Sequence, residues 1–109
     1  MTFDKYEKNG PYHWRLYFAE EPNDYQRHVD KVVEWVKETP VLDIGCGDGL
    51  ITHLLGAHGV DNSYKAIEIC EKFRVPAILG TAYDLRFFTK KRRGVLMAQS
   101  TCYLLVRFI

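Results

Sequence analysis

The segment that most constrains this chain is Val41-Leu42-Asp43-Ile44-Gly45-Cys46-Gly47-Asp48-Gly49. Val41 to Ile44 is a short apolar run with β-branched residues, which reads as a buried strand. Three glycines at alternate positions follow it, and then Leu50, Ile51, Leu54 and Leu55 recur at helical spacing. A strand, a glycine loop and a helix are therefore expected in that order. Gly45 and Gly47 are free to take backbone angles closed to other residues, and they let a ligand lie against the main chain. The helix behind such a loop points its unpaired N–H groups at that ligand. A loop of this kind at the carboxyl end of a parallel strand is where open α/β sheets bind nucleotides.

The flanking sequence extends the pattern. Residues 1–22 are rich in aromatic and polar groups, with Asn9-Gly10-Pro11 as a turn. Asn23 is placed to cap a helix, with Gln26 as its reciprocal partner. Tyr25, Val29, Val32, Val33 and Val36 give that helix one apolar face, and Thr39-Pro40 ends it. After the glycine loop, Gly56 and Gly59 are expected to break the next helix, and Gly59-Val60-Asp61 closes a second strand. Ser63 caps another helix, whose buried face would be Ala66, Ile67, Cys70 and Phe73. Pro76 to Leu79 is a third strand ended by Gly80, and Val95 to Ala98 is a fourth. Strands near 41–44, 58–61, 76–79 and 95–98 alternate with helices, which implies βαβ units and a mainly parallel sheet. Right-handed crossovers give the order 3-2-1-4, with the cleft beside strand one.

Length and composition allow one domain over residues 1–109, with 1–39 as an N-terminal aromatic segment and helix. Of the 109 residues, 47% are hydrophobic and 14% aromatic, which is enough for one core and unlike a disordered chain. A net charge of +1 gives no general reason to expect nucleic acid or an anionic membrane as partner. No long apolar run suggests a membrane span, and the polar start MTFDKYEKNG is unlike a secretory signal, so a cytoplasmic location is expected. Cys46, Cys70 and Cys102 form no paired spacing, and His13, His28, His53 and His58 share no metal-ligand spacing. Free thiols and no metal site are expected. Lys90-Lys91-Arg92-Arg93 reads either as a solvated loop or as a contact for phosphate or nucleic acid.

A dinucleotide fingerprint needs G-x-G-x-x-G/A. Counting from Gly45 puts Leu50 at its third position, so that fingerprint fails. The pattern present, D-x-G-x-G-x-G, resembles the first motif of class I S-adenosylmethionine-dependent methyltransferases, the methyltransferase type 11-like domain among them. Asp61 and the run Asn62-Ser63-Tyr64-Lys65-Ala66-Ile67-Glu68 resemble that family's "D-x-S-x-x-A-I-E". Gly80-Thr81-Ala82-Tyr83-Asp84-Leu85-Arg86-Phe87 is similar to its "G-D-A-x-x-L-P-F". The resemblance covers roughly residues 10–102. It implies a Rossmann-like three-layer α/β sandwich around a mainly parallel sheet, with S-adenosyl-L-methionine as cofactor and a small-molecule methyl acceptor as partner.

By the same resemblance, Asp43, Gly45, Cys46, Gly47 and Gly49 wrap the methionine end, Asp61 takes the ribose, and Asn62 beside it also binds the cofactor. Thr81 and Ala82 hold the adenine. An ionised carboxylate is able to accept a hydrogen bond from each ribose hydroxyl. Thr81 stands where the family has an aspartate, so it offers a hydroxyl without the charge. Asp84 either substitutes for that acid or caps the next turn. Asp48 at the helix start would repel a phosphate but suits the helix dipole. Tyr12 or Trp14 either lies against the cofactor or packs in the core. No residue presents itself as a general base, so the catalytic residues stay unassigned. Two departures from the family stand out. The stretch Gly49–Asp61 is short, so either its helix loses a turn or its second strand is stunted. Gly94 stands where the family has an aspartate. Family members continue for three further strands, so the chain is expected to be incomplete at its C-terminus. Its apolar tail, Thr101 to Ile109, would then pair with a second copy or fold back as a helix. Two functions follow from the resemblance: methyl transfer, or an inactive module that binds cofactor or a partner protein.

Overall fold

A computed structural model of the chain describes residues 4–37, 40–81 and the strand 103–106. Ala82, Asp84, the basic run at 90–93, Gly94, the expected strand at 95–98 and Cys102 lie outside the described residues. The architecture is mixed α/β: five helices are described, with a parallel sheet in which β3 (Ala77–Leu79), β2 (His58–Asp61), β1 (Val41–Ile44) and β4 (Tyr103–Val106) lie side by side in that order. No helix among the described residues is long and apolar enough to cross a membrane.

The centre of the sheet is β1 (Val41–Ile44), buried at all four positions. Burial along the whole strand is what a parallel strand covered on both faces requires. On one side lies β2 (His58–Asp61), with Leu42 opposite His58 and Ile44 opposite Val60. Beyond it is β3 (Ala77–Leu79), also parallel. Pro76 falls just outside β3, and its carbonyl accepts from the Gly59 N–H at 2.8 Å. On the other side of β1 lies β4 (Tyr103–Val106), with Val41 opposite Tyr103 and Ile44 opposite Val106. The strand beside β1 therefore comes from the tail, where sequence analysis expected a helix or a dimerising edge. The run Tyr-Leu-Leu-Val has the aromatic and branched apolar character that suits a strand in a sheet.

The helices begin where their capping residues dictate. In α1 (Lys5–Asn9) the Asp4 carboxylate accepts from the N–H groups of Tyr6 and Glu7. The short α2 (Tyr12–Tyr17) follows the Asn9-Gly10-Pro11 turn. In α3 (Asp24–Trp35) Asn23 and Gln26 form the expected capping box. Its Val29 is fully buried against Leu50 and Ile51, with Tyr25, Val32 and Val33 packed around them. The chain leaves α3 at Val36, in extended conformation, ahead of the Thr39-Pro40 stop.

Two expectations are corrected in the segment after the glycine loop. α4 (Leu50–Leu55) ends at Gly56, whose φ of 61° is left-handed. Gly59 does not break this helix but lies buried in β2, where a Cβ would come within 2.6 Å of the Cys46 Sγ. Between Gly49 and Asp61, α4 has six residues and β2 has the same length as β1, so the second strand is not stunted. In α5 (Tyr64–Lys72), capped by Ser63, the buried residues are Ala66, Ile69 and Cys70. Ile67 is half-buried, and Phe73, expected in the core, is 41% exposed. Phe73 lies past the last turn of α5 and stacks on Trp14, with ring centroids 4.3 Å apart.

Candidate functional site

The carboxyl ends of β1, β2 and β3 converge on an open pocket of about 180 Å³. Ile44, Gly45, Val60, Asp61, Asn62, Gly80 and Thr81 line it. Pockets that engulf a drug-sized ligand run to roughly 300–1,000 Å³, so these walls suit one portion of such a ligand. Of the residues singled out from sequence, Gly45, Asp61, Asn62 and Thr81 meet here. Ile44, Val60 and Gly80 join them unforeseen, because each sits at a strand end and reads as ordinary core or turn.

Asp61 is the charged side chain of the described pocket wall. Its Oδ2 accepts from the Gly47 N–H at 2.8 Å, and its Oδ1 accepts from the Ser63 N–H at 2.8 Å. A carboxylate has about four lone-pair sites, so two bonded oxygens retain acceptor capacity towards the pocket. The two backbone donors hold the carboxylate in one orientation at the end of β2.

The glycine loop turns its amides inward. Gly45 and Cys46 both donate to the Val60 carbonyl, at 2.7 and 3.0 Å, and Gly49 donates to the Cys46 carbonyl at 3.1 Å. With Gly47 bound to Asp61, these four loop N–H groups are engaged within the protein. A phosphate cradle needs such groups pointing at the anion.

The other glycine-loop residues build the loop and do not line the pocket. Asp43 is fully buried, and its Oδ2 accepts from the Thr52 hydroxyl at 2.7 Å, which ties β1 to α4. Cys46 is 1% exposed and packs with Cys70 and Val75. A hydrogen bond with the Cys70 thiol, and then burial, push the Cys46 thiol far above its ordinary range. Gly47 has φ 58°, and a Cβ there would collide with the Tyr6 hydroxyl. Gly49 has φ 83°, and a Cβ there would lie 2.8 Å from the Cys70 Sγ.

Asp48 is 1% exposed and faces the N-terminal segment. Its Oδ2 accepts from the His13 backbone N–H at 3.0 Å, and its Oδ1 lies 3.2 Å from His13 Nδ1. The Trp14 indole N–H donates to the Asp48 carbonyl at 2.7 Å. Trp14 therefore packs against the loop, Phe73 and His53, which is the core alternative for this residue. Tyr12 stacks on Tyr6, with centroids 5.6 Å apart. Tyr6 carries no short-range signal in the sequence, and Asp4 signals no more than a helix cap. They matter through contacts with Ser63 and Gly47, more than forty residues away. Among the described residues no cluster of three or more histidine, cysteine or acidic side chains is placed to hold a metal.

Compared with known proteins, the sequence matches no family model and no curated protein.

Proposed function

We propose that this chain binds S-adenosyl-L-methionine and belongs with the Rossmann-like three-layer methyltransferases, transferring a methyl group to a small-molecule acceptor. The observation that carries the reading is Asp61, an acid with spare acceptor capacity at the carboxyl end of β2, in a pocket shared with Gly45 and Thr81. An adenosine portion is the part of the cofactor that these walls would take. Its two ribose hydroxyls would donate to Asp61, and its base would lie beside Asn62, Gly80 and Thr81. The inward-turned amides of the glycine loop favour a ligand without a pyrophosphate, which argues against a nicotinamide dinucleotide.

When bound, the cofactor supplies a methyl group already activated by its sulfonium. The chain's own task is then to hold the adenosine, orient it and align an acceptor, which is catalysis by proximity. A base is needed only where the acceptor must lose a proton early. The second reading is a module that binds the cofactor without turnover. Calorimetry with S-adenosylhomocysteine tests the binding claim. Asp61→Ala removes the ribose acceptor and is expected to weaken affinity by about 2–4 kcal/mol, roughly 30- to 1,000-fold. Equal affinity in the variant removes Asp61 from the site. Transfer of labelled methyl groups to a metabolite extract separates an enzyme from a binding module.

A further inference from the structure

We infer that residues 4–17 form a clamp that sets the conformation of the glycine loop and, through it, the aim of Asp61. Asp48 is the positioning residue on which the clamp acts. The consequence for affinity rests on the nucleoside reading above; the mechanical claim does not.

Three separate tethers join the N-terminal segment to the loop region. The first is Asp48, whose two carboxylate oxygens and backbone carbonyl all face His13 and Trp14. A buried carboxylate stripped of its donors is strongly unfavourable, so lifting residues 12–14 away would force the loop to rearrange. The second is Tyr6, 3% exposed, whose hydroxyl fills the space a side chain would occupy at Gly47. The third is Asp4, whose Oδ2 accepts from the Ser63 hydroxyl at 2.6 Å.

The second and third tethers end on the two residues that hold Asp61. Gly47 donates to its Oδ2 and Ser63 to its Oδ1. Each oxygen of the pocket acid is therefore fixed by the backbone N–H of a residue that the N-terminal segment touches at another atom. Residues 4–17 do not line the pocket, yet they bear on both donors that orient its acid. Plain core packing would bury aromatic rings here, but it would not require the carboxylate of a loop residue to accept from His13 and its carbonyl to accept from Trp14.

The test uses the full chain, with hydrogen exchange followed in the wild type, Asp48→Asn and Trp14→Phe. Asp48→Asn keeps the shape and removes the charge; Trp14→Phe keeps a ring and removes the indole donor. Amides of residues 45–49 and 61–63 are expected to exchange about tenfold faster in both variants, while α3 keeps its protection. Affinity for S-adenosylhomocysteine is expected to fall by a similar factor, although no pocket-lining residue has changed. Should Asp48→Asn fail to fold, Trp14→Phe carries the same comparison. Unchanged exchange in the loop overturns the clamp, and so does acceleration spread equally over α3. If the wild type binds no S-adenosylhomocysteine, the nucleoside reading fails while the exchange pattern still decides the clamp.

Discussion

Gly47→Ala is the perturbation that most sharply separates loop geometry from loop composition. At φ 58° an alanine bears the left-handed penalty of about 1–2 kcal/mol. Its Cβ would also press into the Tyr6 hydroxyl, and the next ring atom, Cζ, would stand at 3.0 Å. Overpacking of that kind costs about 1–3 kcal/mol, so the substitution should destabilise the chain by about 2–5 kcal/mol. Tyr6→Phe removes the colliding oxygen and leaves the 3.0 Å contact, which a small ring shift relieves. The double variant should therefore be more stable than the sum of the singles, by about 1–2 kcal/mol. Gly56→Ala is the control: its φ is 61°, but nothing lies within 4 Å of the added Cβ, so only the backbone penalty applies. Urea denaturation followed by circular dichroism measures all four variants against the wild type. Additivity of Tyr6→Phe and Gly47→Ala within about 0.5 kcal/mol would refute the packing argument.

Two further outcomes follow from titration and burial. The Ser63 hydroxyl, and less strongly the Tyr6 and Glu7 N–H groups, hold the Asp4 carboxyl below its ordinary value of 3.8. A depressed carboxyl stabilises the fold above that value and loses its contribution as pH falls through the lower folded value. In a Trp35→Phe background, Trp14 fluorescence should therefore report release of the N-terminal segment only below about pH 4, and Asp4→Asn should flatten that step. Cys46 and Cys70 are both buried, and the Cys46 thiol is pushed up by its neighbour and by burial. Both should resist alkylation at neutral pH until the chain is unfolded; rapid labelling of Cys46 or Cys70 in the native protein, mapped by peptide mass spectrometry apart from Cys102, would contradict that burial.

Local signals were legible in the sequence wherever a short-range rule fixes the backbone. The Asn23–Gln26 box, the Ser63 cap, the first three strands and their order β3-β2-β1 follow from capping, periodicity and crossover handedness, whereas the strand on the other side of β1 is Tyr103–Val106 and not the expected 95–98. The misreadings have long-range causes. Gly59 looks like a helix breaker until Cys46 is seen against it, and Phe73 looks like core until Trp14 arrives to stack on it. The tail strand was hidden because a short apolar run suits helix or strand equally until a pairing partner is known. At the site, Gly45, Asp61, Asn62 and Thr81 were singled out because they fall in motif-like segments after the first three strands, and the fold brings them to one pocket. The inward turn of the loop amides was not, since only the fold brings Val60 and Asp61 to them.

The central claim is that the pocket at the ends of β1, β2 and β3 takes an adenosine without a pyrophosphate. The most direct measurement is a pair of calorimetric titrations of the wild-type chain, one with S-adenosyl-L-methionine and one with NAD. Saturable one-to-one binding of the first, with no heat from the second, is the predicted result. Binding of NAD, or of neither, would contradict it.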